Sequence, residues 1–335
     1  MSLNPILLMG GSGAIGRHTA RALRATYPDV PLLIGSRNLD NAQNTAAALG
    51  GAQGVVIDPS RADLGLGQQA ISAVVVLYKD HSPAGLRFAQ SRRVPHLSIS
   101  SGVFEIAPEI ASFMHAPDAS AIVLGYEWLV GATTVPALDL AKAFGEVHEI
   151  RMGALVDEED LGGPAVAADF EHLNRMMPAA LTLRDGVYIW REGHDAKTVF
   201  SAIDGAEVAA TGFSSIDVVG LASATGAKSV EFNLGIGVSS SRRKAEAFST
   251  EIILELSGLD YAGRPLSTRH AVMHPGGAAP LTGMGIALIL ERLLGLDGKP
   301  PVSPGLYFPY QILDAAHYLA RLSQEGGQVL RLPVL

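Results

Sequence analysis

The chain has 335 residues, of which 48% are hydrophobic and only 17% charged, with a formal net charge of −8. That is core enough for two domains, or one with a large insertion, and the acidic balance disfavours nucleic acid or an anionic membrane surface as a main partner. No cysteine is present, which excludes disulfides, thiolate catalysis and sulfur-ligated zinc, and suits a reducing cytosol.

In chain order, the apolar run Ile6-Leu7-Leu8-Met9 reads as a first strand. It enters Gly10-Gly11-Ser12-Gly13-Ala14-Ile15-Gly16, and a helical pattern starts on the last glycine. This is how a strand hands over to a helix whose N-terminus holds a pyrophosphate. Gly10 allows the tight turn, Gly13 removes the Cβ that would hold the phosphates away, and Gly16 lets helix and strand pack closely. Free amides and the helix dipole supply the positive end.

The second strand, Val30–Gly35, ends in Ser36-Arg37-Asn38. A site built for NAD usually places an Asp or Glu here to accept from the adenosine ribose. None is present. Ser36 can donate to a 2′-phosphate and Arg37 offers it a planar cationic fork, so the reading is NADP(H) over NAD(H). The alternative for Arg37 is a solvated loop residue.

A helix over Leu39–Leu49 follows, then a third strand, Gly54–Asp58, whose terminal acid Asp58 can meet the adenine amino group. Ala73–Tyr78 is a fully apolar fourth strand, Ser82–Arg92 a helix, His96–Ser100 a fifth strand and Ala121–Leu124 a sixth. Strands alternating with helices imply an α/β fold, a Rossmann-type doubly wound parallel sheet covered on both faces. Ligands of such sheets lie beyond the carboxyl ends of the strands. That places Leu77, Tyr78, Ser100, Ser101 and Gly125 at the cofactor.

The pattern then changes. Gly145–Val156, Ser229–Gly237 and Ala247–Leu256 are strand-like without a helix between each pair, and Tyr261-Ala262-Gly263-Arg264-Pro265 reads as a turn. An inserted α+β domain over residues 126–274, with a mixed or antiparallel sheet, is the simplest organisation. The apolar helix over residues 281–296 is expected to return to the first domain, which then comprises residues 1–125 and 275–335. No apolar stretch reaches the roughly 18 residues that span a bilayer, and the first residues do not read as a secretory signal.

Reduction by hydride transfer needs a proton donor beside the reacting carbon. Tyr78, Lys79 and His81 follow the fourth strand, where chemistry would occur: Tyr78 can stack or donate, Lys79 can steer a carboxylate, and His81 can act as an acid near neutral pH. The competing reading is an ordinary polar loop capping the next helix. Tyr126, Glu127 and Trp128 open the inserted domain; Glu127 is the functional candidate of the three, whereas Trp128 reads as packing. Arg242-Arg243-Lys244 and Asp157–Asp160 read as solvated segments, and Asp185-Gly186 and Asp204-Gly205 as turns. His270 and His274 would share a face of a helix, which Pro275 opposes, so no metal site is expected.

The chain as a whole resembles the saccharopine dehydrogenase-like oxidoreductases of the saccharopine reductase type. The resemblance rests on Gly10–Gly16, on Ile34-Gly35-Ser36-Arg37-Asn38, on Gly125-Tyr126-Glu127-Trp128-Leu129-Val130-Gly131, and on His274–Gly277 through Leu281–Gly285 to Glu291–Leu294. It implies a dinucleotide domain, an inserted domain with a large mixed sheet, a returning C-terminal helix, NAD(P)-linked redox chemistry and a homodimer. Two places depart from the pattern: Val130 stands where the family's turn usually has proline, and Leu77–Pro83 replaces a small uncharged segment. The functional expectation is an NADP(H)-dependent cytoplasmic oxidoreductase acting on a small-molecule carbonyl or amino acid-derived imine. Its alternatives are a non-catalytic NADP(H)-binding redox sensor or scaffold, and a protein binding another nucleotide-bearing metabolite in the same loop.

Overall fold

The computed structural model describes residues 3–99, 102–103, 105–160, 171–172, 175 and 179–335. Its elements begin with β1 (Ile6–Met9), α1 (Ala14–Thr26), β2 (Leu32–Ser36), α2 (Leu39–Leu49), β3 (Ala52–Val56) and β4 (Ala73–Val76). Next come α3 (Ala84–Arg92), β5 (His96–Ser98), α4 (Ala107–His115), β6 (Ala121–Leu124) and α5 (Thr134–Ala141). The middle of the chain forms β7 (Glu146–Asp157), β8 (Ala180–Arg184), β9 (Val187–Arg191), β10 (Lys197–Ser201), β11 (Glu207–Gly212), α6 (Asp217–Thr225) and β12 (Ser229–Gly237). Then follow β13 (Ser249–Leu259), β14 (Pro265–Pro275), α7 (Ala278–Leu293), β15 (Gly305–Tyr307), α8 (Ala315–Gln324) and β16 (Gln328–Arg331).

The chain divides into two compact units, Met1–Tyr126 with Thr282–Leu313, and Glu127–Leu281 with Asp314–Leu335. The first unit carries a seven-stranded sheet in the order β15-β6-β5-β4-β1-β2-β3, every neighbouring pair parallel. This is the Rossmann-type arrangement that the alternation of elements implies, and the order reverses between β1 and β4. All four residues of β1 and all four of β4 are buried, as two-sided cover requires. In α1, Gly16, Thr19, Ala20 and Leu23 are buried at helical spacing and hold the helix on the sheet. Phe88 and Ala89 of α3 pack with Leu7, Met9, Val74 and Val76. Helix α7 lies against α1 so closely that a Cβ on Gly283 would stand 2.7 Å from the Thr19 amide nitrogen.

The second unit is built on a nine-stranded mixed sheet. β12 runs parallel to β7, β13 antiparallel to both β7 and β14, and β8 and β9 form a side hairpin off β12. Asp260 closes the β13–β14 hairpin by accepting from the amides of Ala262 and Arg264, at 2.8 and 2.9 Å.

Several expectations change here. Residues 314–335 join the second unit rather than the first, because β16 hydrogen-bonds along β14 and α8 buries Tyr318 and Leu322. The stretch holding His270 and His274 is strand, consistent with Pro275 opposing a helix there. Asp157 is fully buried instead of solvated: it accepts from the Ser239 amide at 2.7 Å and pairs with Arg242 at 3.0 Å. Arg242 also meets Glu158 and Glu159, and Arg243 meets Asp204, so this basic segment is a clasp within the unit. Among the described residues no helix is long and apolar enough to cross a membrane.

Candidate functional site

The turn from β1 into α1 is shaped by backbone. Gly10 has φ +84°, a left-handed value that costs other residues about 1–2 kcal/mol. Its amide donates to the Gly35 carbonyl of β2 at 2.9 Å, which anchors the turn to the sheet. A Cβ on Gly16 would lie 2.5 Å from the Gly11 Cα, so this glycine serves the closeness of helix and turn, where helix against strand was expected. Gly13 is the N-cap of α1, exposed and extended, with no side-chain cap and no acid in the first helical turn. A Cβ there would approach only the Gly10 carbonyl oxygen, at 3.3 Å, and would otherwise project into the space before the helix. The amides of Ala14, Ile15 and Gly16 have no acceptor among the described residues and point out of the positive end of the helix.

At the end of β2, the Ser36 hydroxyl accepts from the Asn38 amide at 3.2 Å and keeps its proton to donate. Asn38 is occupied as the N-cap of α2, where its side chain accepts from the Asn41 amide at 3.0 Å. Arg37 is exposed, with no ion pair among the described residues. Asp58 lies two residues beyond β3, and one of its carboxylate oxygens accepts from the amide and the hydroxyl of Ser60, which hold its pKa below the ordinary value.

The carboxyl end of β4 carries Leu77, buried, and Tyr78, half-buried against the glycine turn: a Cβ on Gly10 would lie 3.0 Å from its ring. Burial and the neighbouring Asp80 push the Tyr78 phenol up to about 12, against the pull of Arg37. Lys79 is paired with Glu105 at 3.0 Å. Asp80 accepts from the Gly85 amide at 2.9 Å and caps α3, which therefore begins at Ala84 instead of Ser82. His81 is exposed. Ser100 and Ser101 lie outside the described residues.

Of the expected catalytic residues, Tyr78, Lys79 and His81 follow β4 at one strand end; the fourth is Glu127. It belongs to the second unit, is only 3% exposed, and accepts from the Thr134 hydroxyl. Trp128 is core there: its ring meets Phe213 and Phe232 at 5.5 and 5.4 Å, and its amide donates to buried Asp217 at 2.8 Å. Leu129, Val130 and Gly131 follow in left-handed conformation, with φ +50°, +59° and +91°. A proline ring fixes φ near −65°, which explains why residue 130 is not the proline the resemblance leads one to expect.

A group that sequence reasoning missed lies at the ends of β5 and β6. The Ser98 hydroxyl donates to Glu109 Oε1 at 2.9 Å and meets the Tyr126 hydroxyl at 2.7 Å, while Tyr126 donates to Glu109 Oε2. All three are buried, Glu109 being 8% exposed, and burial raises its pKa against the opposing pull of both hydroxyls. The same small cavity is lined by His96, whose Nδ1 finds no partner among the described residues and whose pKa burial lowers to about 4. Glu109 sits on α4, an element the apolar pattern did not reveal.

No protein-family model matches the chain, and no curated protein matches it in sequence. Among solved structures it is similar to apo saccharopine dehydrogenase (L-Glu forming) from Saccharomyces cerevisiae, at a TM-score of 0.69 and 14% identity over 98% of this chain and 100% of that one. It is also similar to GenD2 of gentamicin A biosynthesis, solved in complex with NAD, at a TM-score of 0.50 and 12% identity over 100% of this chain and 97% of that one. At these identities the likeness establishes the fold.

Proposed function

We propose that this chain is an NADP(H)-dependent oxidoreductase acting by hydride transfer on a carbonyl or amino acid-derived imine of a small organic molecule. One observation carries the reading. At the reversal between β1 and β4, a left-handed Gly10 and an uncapped Gly13 leave the amides of Ala14, Ile15 and Gly16 turned outward, and a Cβ on Gly13 would meet only the Gly10 carbonyl oxygen. This cradle fits a dinucleotide pyrophosphate. The exposed guanidinium of Arg37 and the Ser36 hydroxyl fit a 2′-phosphate, and no acid stands at that strand end to repel it. Leu77 and Tyr78 form the wall of the turn on the β4 side.

When bound, the nicotinamide ring supplies the hydride-donating or hydride-accepting carbon. The residues of this chain do the rest: they orient the cofactor, exclude water at buried Leu77 and half-buried Tyr78, and hold a fixed cation in the Lys79–Glu105 pair. GenD2, the neighbour solved with NAD, supports a nicotinamide dinucleotide in this fold. In this reading the second unit serves substrate binding and homodimer formation, which sedimentation would measure; its exposed Val187, Tyr188, Trp190 and Val199 support the latter.

The test is titration with NADPH, followed by nicotinamide fluorescence. Saturable enhancement, abolished by Gly13→Asp, is the expected result, and its absence in the wild type removes the reading. Arg37→Ala should weaken NADPH far more than NADH; equal effects would overturn the 2′-phosphate assignment. NADPH oxidation is then screened against keto acids paired with amines, aldehydes and enones. The engagement of Lys79 by Glu105 and the burial of Glu127 favour a second reading, a cofactor-binding sensor, which silence across that panel with NADPH bound would select.

A further inference from the structure

Within the first unit, the three hydrogen-bonded groups at the ends of β5 and β6 have no role in cofactor binding as described above. Glu109, the third residue of α4, is an acid with two hydroxyl donors. Lys79, whose charge acts on it, is paired with Glu105 at 3.0 Å. A mere brace between β5, α4 and β6 needs no ionisable group, and burying one without a cation is costly. The arrangement suits a shared proton instead, since each hydroxyl lies within hydrogen-bond reach of the other two residues, Ser98 on Glu109 Oε1 and Tyr126 on Oε2. Its place is also informative. Ser98 ends β5 and Tyr126 follows β6, on the carboxyl edge where ligands of such sheets lie. The cavity they line is shared with His96 and with half-buried Tyr78 and Asp80, which links the buried acid to more exposed groups.

We propose that Tyr126 is the proton donor of the redox site and that Glu109, bonded to it directly and through Ser98, restores the proton it gives away. The inference rests on the oxidoreductase reading. In the reductive direction the substrate carbon gains a hydride as the reduced nicotinamide is oxidised. The Tyr126 O–H bond breaks and an O–H or N–H bond forms on the substrate. The phenolate then takes the Glu109 carboxyl proton, and the carboxylate recovers one from solvent past Asp80 and Tyr78. Burial favours the protonated acid before the step, with His96, Asp80, Tyr78 and Lys79 the other ionisable groups facing it among the described residues. Tyr126 is thus a catalytic residue and Glu109 a proton-supplying one.

The test compares wild type with Tyr126→Phe and Glu109→Gln, both near-isosteric. Without any substrate, the infrared difference between wild type and Glu109→Gln at neutral pH should show a protonated carboxyl stretch, and Tyr126→Phe should move it. An ionised carboxylate at that position overturns the proposal. With NADPH and the best substrate of the panel, Tyr126→Phe should lower kcat on the order of 10²–10⁴-fold while NADPH affinity stays the same. Glu109→Gln should remove one limb of the kcat–pH profile. A wild type that fails to bind NADPH overturns the oxidoreductase reading and this one with it. A wild type that binds and turns over, matched by an equally active Tyr126→Phe, overturns this inference alone.

Discussion

His96 links acidity to stability in a way that can be measured. Its side chain is 1% exposed, and desolvation lowers its pKa from 6.5 to about 4, with Asp80 pulling in the other direction. Between those values the unfolded chain binds a proton that the folded chain refuses, so acidification favours unfolding. The contribution is complete above about pH 6.5 and declines as the pH falls toward 4. At about 1.4 kcal/mol per pH unit, the gap amounts to roughly 3 kcal/mol. Glu109 works in the opposite sense, since its raised pKa makes the folded state lose stability as the pH rises through it. Subtraction removes that contribution, because wild type and His96→Leu both keep Glu109. Urea unfolding should therefore be followed from pH 7 to pH 4 for both proteins by circular dichroism. Tryptophan fluorescence would report elsewhere, because Trp128 and Trp190 both belong to the second unit. Wild type should lose roughly 3 kcal/mol relative to the variant over that interval. Parallel profiles would refute the argument that burial keeps this imidazole neutral.

Three further outcomes are expected. Gly16→Ala should destabilise by about 1–3 kcal/mol, because its Cβ would meet the Gly11 backbone at 2.5 Å; denaturant unfolding of the variant checks this. Asp217→Ala should cost on the order of 3 kcal/mol, leaving the buried Trp128 amide and the hydroxyls of Thr133 and Ser215 without their acceptor. Asp217→Asn should lose less, and a thermal melt followed by tryptophan fluorescence separates the two. Val130→Pro should unfold or distort the segment by more than about 3 kcal/mol, since the ring cannot adopt φ +59°; proteolytic cleavage near residue 130 would reveal it.

Much of the first unit was legible because its signals are local. α2 spans the Leu39–Leu49 read from sequence, and β6 the expected Ala121–Leu124, since two-sided burial leaves an unbroken apolar run between polar turns. β12 likewise matches Ser229–Gly237. β14 escaped notice: Pro-Leu-Ser-Thr-Arg-His-Ala-Val-Met-His-Pro mixes polar and apolar residues, and its strand character comes from pairing along all eleven residues of β13. β8 to β11 were missed as well: β9 to β11 because their exposed residues blur the alternation, and β8 because its apolar run is short and broken by Thr182. At the candidate site, the glycine turn was readable because each glycine answers a short-range steric demand. The Ser98–Glu109–Tyr126 group was not, because three residues from separate elements meet only after the sheet has formed. The burial of Asp157 and Glu127 was hidden for the same reason: their partners, Ser239 and Arg242 for one and Thr134 for the other, are fixed by the fold and not by sequence spacing.

The way β16 closes on β14 bears on how the molecule is made. Each unit draws on two separated stretches of chain, and the last stretch of the second, Asp314–Leu335, is synthesised after the first unit's own closing segment. During synthesis the parallel sheet of the first unit thus has all its strands while the larger sheet still waits for β16 at its edge. Truncation before Gln328 would strand the β14 margin as an unguarded template for other chains. Whether the β14 margin self-associates is then governed by the pairing of one short strand, β16.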